Sequence, residues 1–131
     1  MFIQNLNAKQ QFLLVEMAET IITSDGKISE NEQVVLNTIL AQVSEEAKVL
    51  TDVRISDVGR IFDTQTAKSS LLLELLGIAL ADDEFHDNEE EYLLDVARKI
   101  SVSAEHLTEL KDWVVGLMKH MKKLEPLMGD Q

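Results

Sequence analysis

Several residue types are scarce in this chain, and each scarcity argues against a class of structure or function. None of the 131 residues is cysteine, which excludes disulfides, thiolate metal sites and thiol catalysis. One proline is present, and aromatic residues make up only 5% of the chain. No apolar run approaches the roughly 20 residues that a membrane-spanning helix needs. The length fits one domain, residues 1–131, and we expect a soluble cytoplasmic protein.

Basic side chains are also few relative to acidic ones. Twelve Lys and Arg stand against 24 Asp and Glu, which gives a formal net charge of -12 at pH 7. A field of this sign repels nucleic-acid phosphates and anionic lipid headgroups. We therefore expect no nucleic-acid or membrane partner. A cation or a protein partner fits this charge better, and homo-oligomers remain open.

The spacing of apolar residues is helical throughout. Apolar positions recur three and four residues apart over 14–22 and again over 36–43, which is typical of amphipathic helices. No segment alternates apolar and polar residues as a strand would. We predict an all-α fold, a single compact bundle of about seven helices. Its last helix should cover about 104–123 and end before Pro126. The methionines at 118, 121 and 128 are expected to fill the core, with an adaptable contact surface as the alternative.

The chain contains an internal pseudo-repeat at an offset of 57 residues, with units of about 12–44 and 69–101. In each unit two helical patterns flank an acidic segment, SDGKISENE at 24–32 and ADDEFHDNE at 81–89. The match rests on polarity and spacing rather than on identity. We predict a helix, an acidic loop and a second helix in both units.

The two acidic segments are candidate sites for a divalent cation. Carboxylate oxygens are the ligands that Ca²⁺ and Mg²⁺ prefer, and these two ions fit the segments better than Zn²⁺ does. A complete EF-hand is not predicted, because its first two ligand positions fall on Ile21 and Thr23. If the units pack as a pair, the two segments can form one shared site. The candidate metal ligands are Asp25, Glu32, Asp82, Asp83, His86 and Glu89.

Helix capping is the alternative explanation for these acidic residues. Ser29 and Glu32 have capping-box spacing, as do Asp87 and Glu90, and acidic residues in a first turn favour the positive end of the helix dipole. His86 also fits a cap or a surface position. Two functions therefore stay open. One is a cation-binding module, and the other is a metal-independent protein-interaction domain whose acidic loops cap helices and form a charged contact surface.

Catalysis is not expected from this sequence. It contains neither the phosphate-binding pattern GxxxxGK[ST] nor the zinc-binding pattern HExxH. An enzyme would also need a nucleophile paired with a base or an open metal site with a substrate pocket. We therefore expect a non-enzymatic protein.

The duplicated acidic segments, with SVSAEHLTEL at 101–110, resemble the TerB-like family, which is named for a tellurite-resistance protein. The family is related to the N-terminal helical domain of some membrane-anchored J-domain co-chaperones. The resemblance covers about half of the chain. It implies a compact helical bundle with a metal-binding role suggested for its acidic positions, and a part in stress response or assembly. By position, these residues are Asp25, Glu32, Asp82 and Glu89, and Asp83 replaces the family's usual glycine.

Overall fold

Seven α-helices make up most of the protein, whose structure, a computed structural model, describes residues 2–23, 28–81 and 87–129. The helices are α1 (Ala8–Thr23), α2 (Glu30–Gln42), α3 (Glu45–Lys48), α4 (Val58–Ile61), α5 (Gln65–Ala79), α6 (Asp87–Lys99) and α7 (Ala104–Leu127). Short 3-10 turns at Ile3–Asn5 and Ile55–Asp57 precede α1 and α4. The described residues contain no strand. The predicted all-α bundle is confirmed. Over the same ranges, none of the helices has the length and hydropathy for crossing a membrane.

Helices α1 and α5 pack against each other at the centre of the bundle. Helix α5 also contacts α2, α6, α7 and the 3-10 turn at the amino end, so it has neighbours on most sides. Its fully buried residues include Leu71, Leu72, Leu75, Leu76 and Ile78. A helix that is apolar around most of its circumference must be surrounded by protein, and this explains the central position of α5.

The helix boundaries follow the 57-residue offset closely. Helices α1 and α5 begin 57 residues apart, at Ala8 and Gln65, and α2 and α6 keep the same offset at both ends. Burial follows it too, since Leu36 of α2 and Leu93 of α6 are both in the core. The two helix pairs therefore bury equivalent faces, and their first helices meet at the centre.

Side-chain caps start helices α3, α5 and α7. The hydroxyl oxygens of Ser44, Thr64 and Ser103 each accept a hydrogen bond from the amide three residues later, at 3.1 Å. Each bond satisfies an amide that the first helical turn leaves without a partner. Ser56 does not cap α4, because it lies inside the 3-10 turn that leads into that helix.

Two buried glutamines join α1 to segments that are distant in sequence. Gln11 donates from Nε2 to the Leu6 carbonyl oxygen and accepts at Oε1 from the Ser44 amide, both at 2.8 Å. Gln10 donates from Nε2 to the Ile61 carbonyl oxygen at 2.9 Å. Because a buried amide is stable only when its polar atoms are paired, these two side chains fix the path of the chain around α1.

Helix α4 approaches the end of α6 very closely at Gly59. A Cβ added to Gly59 would lie 2.6 Å from the Lys99 carbonyl oxygen. That oxygen belongs to the backbone and cannot rotate away as a side chain would. Glycine therefore permits the close packing of α4 against α6.

Helix α6 ends in a Schellman turn, which directs the chain towards α7. The Val102 amide donates to the Ala97 oxygen at 2.7 Å, and the Ser101 amide donates to the Arg98 oxygen at 3.1 Å. Ser101 has a φ of 61°, in the left-handed region. Glycine usually occupies this position, so serine is strained here.

Helix α7 is longer than predicted. It ends at Leu127, so Pro126 lies inside the last turn instead of stopping the helix at about 123. Proline removes one amide donor, but the Met128 amide still donates to the Leu124 oxygen at 3.0 Å and closes the turn. Residues 119–129 are all exposed. The end of α7 therefore extends beyond the bundle.

Candidate functional site

The structure describes two of the six candidate metal ligands, Glu32 and Glu89. They are the third residues of α2 and α6 and so occupy equivalent positions in the two units. Both are buried, with 6% and 3% of their surface exposed. The other candidates, Asp25, Asp82, Asp83 and His86, lie outside the described residues. Within the residues that are described, no three acidic or histidine side chains form a group that would hold a metal ion.

Glu32 forms the predicted capping box with Ser29. The Glu32 amide donates to Ser29 Oγ at 3.0 Å, and the Ser29 amide donates to Glu32 Oε1 at 3.1 Å. Both bonds satisfy amides of the first turn of α2. One carboxylate oxygen of Glu32 therefore has a structural role at the start of its helix.

Helix α6 begins with an acidic turn and ends with a basic one. Asp87, Glu89 and Glu90 lie in the first turn, and Arg98 and Lys99 lie in the last. This order places charges of opposite sign at the two poles of the helix dipole. The predicted capping box of Asp87 and Glu90 is wrong, because Asp87 already lies inside the helix and a capping residue has a non-helical backbone.

Tyr92 connects α6 of the second unit to α1 of the first. Its side chain lies beside the side chain of Thr20. Burial raises the pKa of Tyr92 above its ordinary value of 10.0, the neighbouring Thr20 hydroxyl lowers it, and the negative charges of Asp95 and Glu16 raise it again. Tyr92 lies one turn after Glu89, and Thr20 lies one turn before the end of α1. The contact therefore places the end of α1, where the first acidic segment begins, beside the start of α6, where the second one ends.

An apolar groove of about 540 Å³ lies between α2, α5 and α7. Its walls include Val34, Val35, Leu73, Trp113, Leu117 and Met121. Gly77 of α5 is also part of the lining, and a Cβ added there would meet no atom within 4 Å. The groove therefore has an open floor where α5 has no side chain.

Phe2 and Trp113 form an aromatic pair in the lining of the apolar groove. Their rings meet edge to face, with centroids 6.1 Å apart and an angle of 66° between the planes. The Phe2 amide donates to Glu74 Oε1 at 2.7 Å, and this bond fixes Phe2 against α5. Trp113 still has 50% of its surface exposed, so an aromatic side chain is presented to solvent beside the groove.

An apolar stripe continues from the groove along α7 to its exposed end. Its residues are Trp113, Leu117, Met121, Leu124 and Met128. Met121 is 55% exposed and Met128 is 67% exposed, so the prediction that these two methionines fill the core is wrong. The three-and-four spacing of the stripe was visible in the sequence. The missing information was that the bundle ends before the stripe does.

These features define a small acidic helical bundle made of two equivalent helix pairs. A family model described as tellurite resistance protein TerB matches residues 39–112, more than half of the chain. The chain belongs to the TerB family, as its resemblance predicted. The matched region includes the second acidic segment and excludes Asp25 and Glu32 of the first. Searches of curated proteins and of solved structures found no match to this chain.

Proposed function

We propose that this TerB-family chain is a non-catalytic cytoplasmic module that binds a divalent cation between its two acidic segments. The proximity of the Tyr92 and Thr20 side chains carries this proposal. It brings together the helix end from which the first segment departs and the helix start at which the second arrives. The proposed ligands are drawn from Asp25, Glu32, Asp82, Asp83, His86 and Glu89.

The burial of Glu32 and Glu89 supports the same proposal. A carboxylate that leaves water loses solvation energy, and a bound cation can add to the compensation that its other partners supply. The capping box uses Oε1 of Glu32, and we assign its Oε2 to the ion. Oxygen ligands predominate in the candidate set, with His86 as the exception, so Ca²⁺ or Mg²⁺ fits better than Zn²⁺.

Thermal unfolding with Ca²⁺, Mg²⁺, Mn²⁺ and Zn²⁺ tests this function. An ion at 100 times its Kd stabilises the folded state by about 2.7 kcal/mol, which for a domain of this size raises the Tm by roughly 10 °C. We expect this rise with Ca²⁺ or Mg²⁺, and we expect the double variant Asp82→Asn/Glu89→Gln to lose it. Each variant is compared with its own Tm in chelator, so that a change in basal stability does not enter the result.

The matched control is Glu90→Gln/Glu91→Gln. It removes the same amount of charge from nearby positions in the sequence without altering a candidate ligand, so it should keep most of the ion-induced rise. A wild-type Tm that no ion changes would rule out the cation-binding function. Equal loss of the rise in the two double variants would show a non-specific effect of charge.

We assign to the module a role in stress response or in protein assembly, with a protein partner. Its family is described by tellurite resistance, but tellurite itself is not part of the proposal. The absence of nucleotide-binding and zinc-hydrolase patterns from the sequence supports a non-enzymatic role.

The capping box at Ser29 favours a second candidate function, a metal-independent interaction domain. It explains the position of Glu32 without an ion, and the acidic segments then form a charged contact surface. In that case no ion changes the Tm. Ser29→Ala should lower the free energy of unfolding by about 1 kcal/mol under either function, because the cap is lost. The same thermal measurements therefore separate the two functions.

A further inference from the structure

The apolar groove and the apolar stripe of α7 form one continuous exposed face. The exposed fractions are 62% for Val34, 50% for Trp113, 55% for Met121, 49% for Leu124 and 67% for Met128. Together these side chains expose apolar surface on the order of 600 Å², the upper end of what a typical monomer presents in one patch. A face of this size indicates a partner.

The area of this face agrees with the needs of a dimer. A specific protein interface buries about 800 Å² on each partner, with an apolar centre and a polar rim. The apolar face supplies most of that area, and the polar residues beside it supply the rim. Trp113 and the two exposed methionines are residue types that are enriched at the centres of such interfaces.

The shape of the face favours a second copy of this chain as the partner. It contains both a groove and a projecting helix, and the two are adjacent on the same side of the molecule. A two-fold axis brings each feature of one copy against the other feature of its partner. The stripe extends for about 22 Å from Trp113 to Met128, which is long enough to place the end of α7 across the partner's groove.

The charge of the end of α7 is opposite in sign to the charge of the rest of the chain. Residues 1–112 contain nine of the 12 basic residues and 22 of the 24 acidic ones. Residues 113–128 contain Lys119, Lys122 and Lys123 against Glu125. These lysines lie on the side of α7 away from the stripe, so they leave the apolar contact intact and give the helix end a positive field. That field favours approach to an acidic body of a second copy.

We propose that this face makes the protein a symmetric dimer, in which the exposed end of α7 of each copy lies in the apolar groove of the other. This interface uses α2, α5 and α7 and none of the candidate metal ligands. Dimerisation is therefore expected to be independent of divalent cations, and its failure would leave the cation-binding function untouched.

Sedimentation equilibrium of the full chain from low to high micromolar concentration tests the dimer, with and without chelator. We expect monomer and dimer without larger species. The double variant Met121→Glu/Leu124→Glu should raise the dimer dissociation constant at least about 100-fold, because it places charge at the centre of the interface twice in each dimer. Both side chains are about half exposed, so the variant is expected to fold.

The matched control is Val49→Glu/Ile55→Glu. These residues are 74% and 45% exposed, and in the sequence they lie between the two repeat units. The control therefore introduces the same two negative charges outside the apolar face. This control should dimerise as the wild type does. Trp113 gives a second signal, because it is the one tryptophan of the chain. Its fluorescence should shift to shorter wavelength as the dimer forms, and Met121→Glu/Leu124→Glu should abolish the shift.

The groove itself is tested by Gly77→Leu, with Gly116→Leu as its control. Both glycines are helical positions at which a Cβ meets no atom within 4 Å, but of the two only Gly77 lines the groove. Gly77→Leu should weaken the dimer at least about tenfold by occupying the partner's place, and Gly116→Leu should not. A wild type that stays monomeric at all concentrations would overturn the proposal and leave the face to a different protein. The proposal would also be overturned if Met121→Glu/Leu124→Glu left the dimer dissociation constant unchanged, or if Gly77→Leu did.

Discussion

Replacing a helical glycine by alanine should raise stability at Gly77 and Gly116 and lower it at Gly59. Gly77 and Gly116 have open space where a Cβ would be, whereas a Cβ on Gly59 would lie 2.6 Å from the Lys99 carbonyl oxygen. Alanine is favoured over glycine inside a helix by about 0.8–1 kcal/mol. We therefore expect Gly77→Ala and Gly116→Ala each to raise the free energy of unfolding by up to about 1 kcal/mol, or the Tm by roughly 3–5 °C.

The clash at Gly59 should exceed that gain. Inserting a methyl group against packed backbone costs about 1–3 kcal/mol, and the helical preference of alanine counts for little in a helix as short as α4. The expected net result for Gly59→Ala is a loss of roughly 1–2 kcal/mol.

Urea denaturation followed by circular dichroism measures all three variants under identical conditions. Gly116→Ala is the reference, because its position lies outside both the groove and the core. If Gly59→Ala proved as stabilising as Gly116→Ala, the close packing of α4 on the end of α6 would be wrong.

Three further substitutions test other contacts. Ser101→Gly should raise the free energy of unfolding by about 1 kcal/mol in urea denaturation, because it relieves the left-handed strain; an unchanged value would contradict the φ of 61°. Gln11→Met should lower the free energy of unfolding by about 2–4 kcal/mol, because the Leu6 oxygen and the Ser44 amide lose their partners. Gln33 is exposed, so the control Gln33→Met should change this free energy little. Tyr92 is the one tyrosine, so phenolate absorbance reports its ionisation alone. Its pKa is raised in the folded state, so its contribution to stability is complete below pH 10 and disappears as the pH rises through the folded pKa. Tyr92→Phe should remove that pH dependence, and a Tyr92 pKa below 10 in the folded protein would refute the assigned burial.

Local rules in the sequence predicted much of this fold. The caps at Ser44, Thr64 and Ser103 depend on neighbouring residues alone, and the central position of α5 follows from its nearly continuous apolar surface. The rule that proline ends a helix failed at Pro126, because only one amide is lost so near the end of α7. The capping box predicted at Asp87 failed because that residue already lies inside α6.

Long-range contacts were beyond the sequence patterns. Gln10 and Gln11 look like surface residues of an amphipathic helix, and their burial depends on carbonyl and amide groups far away in the chain. The apolar groove arises only when α2, α5 and α7 are placed side by side. Of the candidate ligands, Glu32 was predicted correctly as part of a capping box, while the burial of Glu89 was not visible in any local pattern.

The central pairing of α1 with α5 has a consequence for how the molecule folds. Leu14 and Ile22 of α1 are fully or almost fully covered, as is Leu71 of α5, and the partner helix arrives from a unit 57 residues away. Neither the segment before α5 nor the segment that begins with α5 can bury its own apolar side chains. A peptide that ends before α5 should therefore stay unstructured or aggregate. Cutting the chain between α4 and α5 should yield two fragments that regain helicity only when mixed, in a single cooperative step.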